Sequence, residues 1–300
     1  MSEMIFLKYA MIGFLGLGAG TVGVSLLSGK FSQLSRFFIW SITLAVFLGI
    51  YGYLIEPNWI EVRTVKIHDP RLAASLGDTR MVLIADIHLT KGLGFREKEL
   101  IRKINRLNAD LIFIAGDFID HKNQVQAARE LIGSLRAKQG IFGVPGNTDH
   151  IVMDSQMLVR ELGPAGIDIL VNEKRLLKLS NGHQLWLAGV DDPKYGYDNM
   201  NRTLGGIAPE EPKIVLAHCP DFIEKFYDEP ALILAGDTHG GQVGIPFLIR
   251  LSTYARRAHY ISGLFHKGQA QMYVNRGIGT KTLPIRFLCR PEITVFEVGK

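Results

Sequence analysis

Asp86-Ile87-His88, Gly116-Asp117, Gly146-Asn147, His218 and Gly236-Asp237-Thr238-His239 each stand at the end of a short apolar run. Carboxylate, amide and imidazole side chains are the oxygen and nitrogen donors that bind divalent cations. Asp86, His88, Asp117, Asn147, His218, Asp237 and His239 together supply enough donors for two such ions sharing one carboxylate. The runs are Met81–Ala85, Leu111–Ala115, Ile141–Val144, Lys213–Ala217 and Ala231–Ala235. Short Val/Ile/Leu runs bounded by Gly, Pro and Asp read as buried strands. In α/β proteins, ligands gather in the crevice at the carboxyl ends of the strands. Every one of these donors falls there.

The elements that must position the donors follow from periodicity. Phe95 to Asn108 reads as a helix with Leu100, Ile101, Ile104 and Leu107 on one face, and further helices are expected over about Gln124–Lys138 and Asp154–Leu162. Asn181-Gly182 between Arg175–Ser180 and Gln184–Ala188 predicts a hairpin. Glu292–Val298 alternates as a last strand. Residues 58–79 are expected to be a linker and 80–300 the catalytic domain. No repeat or low-complexity tract interrupts them.

Hydrophobic residues make up 47% of the chain and charged ones only 21%, so part of it is expected in lipid. Two apolar stretches, roughly 9–28 and 37–55, each approach the ~20 residues a helix needs to cross a bilayer. Residues 1–57 are therefore expected to form a transmembrane helical hairpin, with a cleaved signal peptide as the rival reading of the first stretch. Lys8 lies on one outer flank, and Arg63, Lys66 and Arg71 lie on the other. The positive-inside rule then puts both termini, and the catalytic domain, on the cytoplasmic side of the inner membrane.

The formal charge is +5, and Thr238 to Pro291 contains no Asp or Glu. Such a field favours anionic partners. Within it, Ile245–Lys267 mixes aromatic and aliphatic residues with Arg250, Arg256, Arg257 and Lys267, a texture suited to a surface that dips into lipid. No nucleic-acid fold accompanies these charges, so nucleic acid is not expected as a partner. No protein partner is inferable. Cys219 and Cys289 make no disulfide framework. Cys219 reads as a small buried residue beside His218 rather than a thiolate.

Taken in order, Asp86-x-His88, Gly116-Asp117, Gly146-Asn147, His218 and Gly236-x-Thr238-His239-Gly240-Gly241 resemble the calcineurin-like metallophosphoesterases over roughly residues 80–298. Glu56-Pro57, Gly189-Val190-Asp191-Asp192, Tyr273-Val274-Asn275-Arg276-Gly277 and Arg290-Pro291-Glu292-Ile293 are similar to the bacterial membrane-anchored branch. The resemblance implies an α/β fold, a four-layer αββα sandwich with the metals at one edge of its sheets. It implies that Asp86, His88 and His239 hold one metal, that Asn147, His218 and Asp237 hold the other, and that Asp117 bridges them. Mixed oxygen and nitrogen donors suit Mn²⁺ first, with Fe, Zn²⁺ or Mg²⁺ as alternatives. Two metals about 3.5–4 Å apart activate a water and stabilise both oxygens of an in-line displacement at phosphorus.

The chain departs from that family pattern twice. The family usually has His where Asp237 stands, and the Asp makes the second site oxygen-rich. It usually has His where Thr148 stands, contacting the phosphoryl group or protonating the leaving group. Asp149 or His150 is expected to substitute for it. A lost general acid costs typically 10²–10⁴-fold where proton transfer is needed, so a phosphoanhydride is the expected substrate. Asp117, Asn147 and His150 are thus the expected catalytic residues, and Thr148, Asp191, Arg276, Arg256 and Arg257 the expected substrate contacts. Asp120 reads equally as a carboxylate behind a metal ligand or as a helix cap. The resemblance points to a lipid-linked phosphate substrate such as UDP-2,3-diacylglucosamine. The rival expectations are a broad phosphodiesterase or phosphatase on soluble substrates, and a catalytically weak membrane metal-binding protein.

Overall fold

The computed structural model describes residues 32–226, 229–245 and 259–299, together with Gly20 and Gly23. Helix α1 (Gln33–Ile50) begins at Ser32, whose hydroxyl accepts the Ser35 N–H. It passes through a π-helical turn at Tyr51–Ile55 into a 3-10 turn at Glu56–Asn58. The 26-residue run Gln33–Asn58 contains an 18-residue stretch of mean hydropathy 2.0 that is 6% buried, so the rest of the described protein does not cover the apolar surface of that stretch. That length is enough to cross a bilayer. It is one span among the described residues. The first expected span, 9–28, falls outside them apart from Gly20 and Gly23, as do Arg256 and Arg257 and most of the Ile245–Lys267 stretch.

After α1 the order is β1 (Glu61–His68), α2 (Pro70–Leu76), β2 (Met81–Ile84), α3 (Phe95–Arg106), β3 (Leu111–Ala115) and α4 (Val125–Ser134). Then follow β4 (Gly140–Val144), α5 (Asn147–Val152), α6 (Ser155–Leu162), β5 (Ile167–Ile169), β6 (Glu173–Lys178), β7 (Gln184–Gly189) and α7 (Met200–Leu204). The chain finishes with β8 (Lys213–Leu216), β9 (Leu232–Ala235), β10 (Gly263–Lys267), β11 (Ala270–Val274) and β12 (Glu292–Gly299). The strands make two six-stranded mixed sheets, β1-β12-β2-β3-β4-β5 and β10-β11-β9-β8-β7-β6. All five runs with donors behind them form strands, and β6 and β7 form the expected antiparallel hairpin.

Strand alternation explains why these runs are continuously apolar. Met81, Leu83, Leu111 and Phe113 point inward and meet Leu185, Leu187, Ile214 and Leu232 of the second sheet. Val82, Ile84, Ile112 and Ile114 point outward and meet Leu100, Ile104, Leu131 and Leu158 of the covering helices. On the far face of the second sheet, Val215 and Ile233 pack against Phe222 and Phe226.

Residues 58–79 are not a linker. β1 pairs in parallel with β12 from Glu61↔Glu292 to His68↔Gly299. Val65 and Ile67 are buried, while Arg63, Lys66 and His68 face solvent. β1 is an edge strand, and the charges that guard an edge also disguise it as a linker. Asp69 then caps α2 by accepting the N–H groups of Arg71 and Leu72, with Pro70 at the first helical position.

The end of α1 is fastened to the catalytic domain. Gly52 accepts the Arg286 N–H at 2.9 Å, and the Tyr51 and Phe287 rings meet edge to face at 5.9 Å. Glu56 is fully buried and its carboxylate accepts the N–H groups of Leu288 and Cys289. Arg290 lies over the Trp59 ring at 4.3 Å.

Candidate metal centre

The chain leaves each strand through a sharp turn that throws one donor into the crevice. Asp86, His88, Asp117, Asp237 and His239 all have positive φ, between 46° and 71°. For residues carrying a Cβ that conformation costs on the order of 1 kcal/mol each. Glycines make the room: a Cβ on Gly146 would lie 2.3 Å from Asp117 Oδ1, and one on Gly236 would lie 2.7 Å from Asp86 Oδ2. Gly277, itself at φ +69°, backs the Asp86 side chain in the same way.

On one side of the crevice, His88 donates from Nδ1 to Asp120 Oδ1 at 2.7 Å. That bond aims Nε2 inward, 3.2 Å from Asp117 Oδ2 and 3.1 Å from His239 Nε2. The two imidazoles stack at 4.9 Å, and His239 Nε2 lies 3.7 Å from Asp86 Oδ1. On the other side, His218 donates from Nδ1 to the Ala115 carbonyl at 2.8 Å. Its Nε2 faces Asn147 Oδ1 at 3.0 Å, Asp237 Oδ1 at 3.5 Å and Asp117 Oδ2 at 3.6 Å. Asp237 ties the two sides together by donating its N–H to both oxygens of Asp86.

Burial pushes Asp86 up to about 7, with Asp117 and Asp237 adding to the rise. Burial also opposes ionisation of Asp237, but the bonds and charges of His218 and Lys194 hold it down at about 2. His218 goes the other way: burial disfavours its charge, yet Asp117 and Asp237 raise it well above 6.5. His239 is held well below 6.5 by burial and by the neighbouring charges of His88 and Arg286.

These residues fit divalent metal ions. Asp86, His88 and His239 form one compact buried donor group, and Asp86, Asp117 and His218 form another. Two imidazole nitrogens face each other at 3.1 Å, and His239 Nδ1 is buried without a partner among the described residues. Asp86 belongs to both groups, so it is as central as Asp117.

The remaining expected site residues separate. Thr148 turns onto Asp117, its N–H on Oδ1 at 2.7 Å and its hydroxyl on Oδ2 at 2.6 Å. Asp149 is not a spare acid: its carboxylate accepts the N–H groups of Gly146 and Phe118, both at 2.9 Å, which fixes the start of α5. His150 is held by Asp191 Oδ1 at 2.6 Å and packs on Tyr197. Nε2 of the ring is thus engaged by Asp191, and Asp191 is committed to it. Arg276, expected to reach a substrate phosphate, lies between Glu292 at 2.5 Å and Glu61 at 2.6 Å. Glu61 belongs to the strand that the sequence disguised. Cys219 is a buried thiol that burial pushes up to about 12.

Two lysines enter the site from loops that carry no motif. Lys194, in the 3-10 turn Pro193–Tyr195, places Nζ 2.5 Å from Asp237 Oδ1 and 3.5 Å from Asn147 Oδ1. Lys281 places Nζ 2.8 Å from Thr148 Oγ1 and 3.4 Å from Asp120 Oδ1. No periodicity or spacing marks either one.

A two-sheet sandwich with buried carboxylates, imidazoles and an amide at its strand ends defines a metal-dependent hydrolase of phosphate esters. The calcineurin-like phosphoesterase family model matches residues 79–241, and the chain belongs to that family. It is 33% identical over 257 residues to the metallophosphoesterase YkuE of Bacillus subtilis, covering 83% of this chain and 90% of that protein. It is 28% identical to the phosphodiesterase YaeI of Escherichia coli, covering 83% of this chain and 92% of that one. A transmembrane protein with a metallophosphoesterase domain from Danio rerio is 29% identical, covering 89% of this chain and 63% of its own length. With the uncovered apolar helix α1, the last of these likenesses associates the chain with a membrane.

Proposed function

We propose that the enzyme hydrolyses a phosphoanhydride or phosphodiester of a lipid-linked substrate at the bilayer surface. UDP-2,3-diacylglucosamine, split to UMP and the lipid sugar phosphate, is the specific case. The observation that carries this reading is the attachment of α1. Its end is bonded to Arg286, Leu288 and Cys289, in the same loop that begins at Lys281 beside Thr148. Leu283 and Leu288 on that loop are 61% and 65% exposed, apolar surface next to a membrane span. A cleft lined by Asn58, Thr90, Lys91, Gly94 and Arg96 lies between the end of α1 and the loop after His88. A lipid whose acyl chains stay in the bilayer would present its phosphates here. A soluble substrate needs none of this.

The chemistry supports an anhydride. Asp149 and His150 are committed elsewhere, and Thr148 gives its proton to Asp117. A phosphate leaving group needs little protonation. Asp86, His88 and His239 would hold one ion, and Asn147, His218 and Asp237 the other, with Asp117 between them. Nitrogen-rich and oxygen-rich donors together suit Mn²⁺. When bound, the ions would supply Lewis acidity and a readily ionised water. Asp120 fixes the His88 ring, Ala115 fixes the His218 ring, and Thr148 fixes both oxygens of Asp117. We place the catalytic domain on the cytoplasmic face of the inner membrane.

The test is hydrolysis by detergent-purified protein loaded with Mn²⁺, comparing UDP-2,3-diacylglucosamine with bis-p-nitrophenyl phosphate and using Asp117→Asn as the blank. Release of UMP that depends on Asp117 is expected. Turnover of the aryl diester alone would sink the lipid reading in favour of a general phosphodiesterase, the activity named for the Escherichia coli relative.

A further inference from the structure

We infer that Lys281 is a substrate-contacting residue whose ammonium takes a non-bridging oxygen of the phosphoryl group held at Asp117. The inference rests on the phosphoesterase reading of this site. It is carried by a closed ring of hydrogen bonds and polar contacts. Lys281 donates to Thr148 Oγ1 at 2.8 Å, and Thr148 donates to Asp117 Oδ2 at 2.6 Å. In the other direction Lys281 reaches Asp120 at 3.4 Å, Asp120 holds His88 at 2.7 Å, and His88 returns to Asp117 Oδ2 at 3.2 Å. The ammonium thus stands one hydroxyl away from the central carboxylate.

The lysine is placed there by its own backbone. Its N–H donates to Gln242 Oε1 at 2.5 Å, and its carbonyl accepts from Gln242 Nε2 at 3.0 Å. Gln242 is therefore a positioning residue. An ammonium has three donors. The ring uses two, one of them over a long contact, and the side chain is 23% exposed. A third donor on a partly exposed ammonium beside the reacting centre suits the charge of a phosphoryl oxygen. A lysine serving only to neutralise Asp120 would need neither the Thr148 bond nor the clasp by Gln242.

The experiment uses the full chain in detergent, loaded with Mn²⁺, and measures binding of inorganic phosphate by calorimetry alongside bound metal. Lys281→Met is expected to weaken phosphate binding about ten- to a hundredfold, the range for a hydrogen bond to a charged group, with the metal content unchanged. Lys281→Arg keeps the charge and is expected to stay within about threefold. Unchanged phosphate affinity in Lys281→Met overturns the inference. So does a fall in metal content that matches the fall in phosphate binding, because Lys281 would then act only through Asp120 and His88. Phosphate binding that depends on Lys281 in a protein without Asp117-dependent turnover would sink the hydrolase reading and leave this inference standing.

Discussion

The two sides of the metal centre are built differently. On the His88 side the donors are two stacked imidazoles and the Asp86 carboxylate, and Asp120 holds one ring from behind. On the Asn147 side the donors are an amide, an imidazole and a carboxylate, and the Lys194 ammonium already sits against two of them. Burial and the charge of His88 hold the His239 pKa well below 6.5, while neighbouring carboxylates raise those of His88 and His218. On the first side a carboxylate that is not itself a donor already orients the His88 ring. The second side satisfies its anionic donor internally, so an ion arriving there must first displace a lysine. The comparison teaches that one family's ligand pattern can hide two unequal affinities.

The largest expected effect lies on the His88 side. Asp120→Asn leaves an acceptor for His88 Nδ1 but removes the charge that steadies the ring. Partners of this kind typically contribute 10–100-fold in metal affinity. Titration with Mn²⁺ should therefore show the tighter of two binding events weakened by that factor. If the weaker event moves instead, the assignment of the sides is reversed. Lys194→Met should act in the opposite direction and less strongly, raising the weaker affinity about fivefold, a partly exposed charge contact worth roughly 1 kcal/mol. Two equal affinities in the unaltered protein would break the comparison outright.

Much of this was legible in the chain. The donor-bearing strands are buried on both faces, which forces continuous apolar runs, and such runs cannot be mistaken for loops. The donors at their ends were legible for the same reason. β1 was not, because an edge strand exposes alternate residues and fills them with charge. Its concealment hid the ion-pair partner of Arg276, since Glu61 is 215 residues away in sequence. Lys194 and Lys281 were invisible because the side chains of Asn147 and Thr148 receive them only after distant loops converge. The bond between His150 and Asp191 was hidden for a similar reason: Asp191 comes from the end of a strand in the other sheet.

That pair gives the smallest prediction. His150 and Asp191 bind the start of α5, next to Asn147, to the loop that carries Lys194. Burial disfavours the charged imidazole, but the Asp191 bond and charge outweigh it, so the folded pKa of His150 lies above 6.5. A raised histidine pKa contributes stability that is complete below the unfolded value and fades as pH rises through the folded one. The contribution is therefore present in full below about pH 6.5 and declines above it. His150→Gln should lower the melting temperature most in that acidic range, by the equivalent of roughly 1 kcal/mol for a hydrogen-bonded pair largely covered from solvent, with the gap to the unaltered protein narrowing as pH rises. A gap that stays constant or widens with pH would show that the pair is not ionic. In that case the Lys194 loop, and with it the unequal second side, is held in place by the packing of Tyr195 and Tyr197 against the His150 ring rather than by charge.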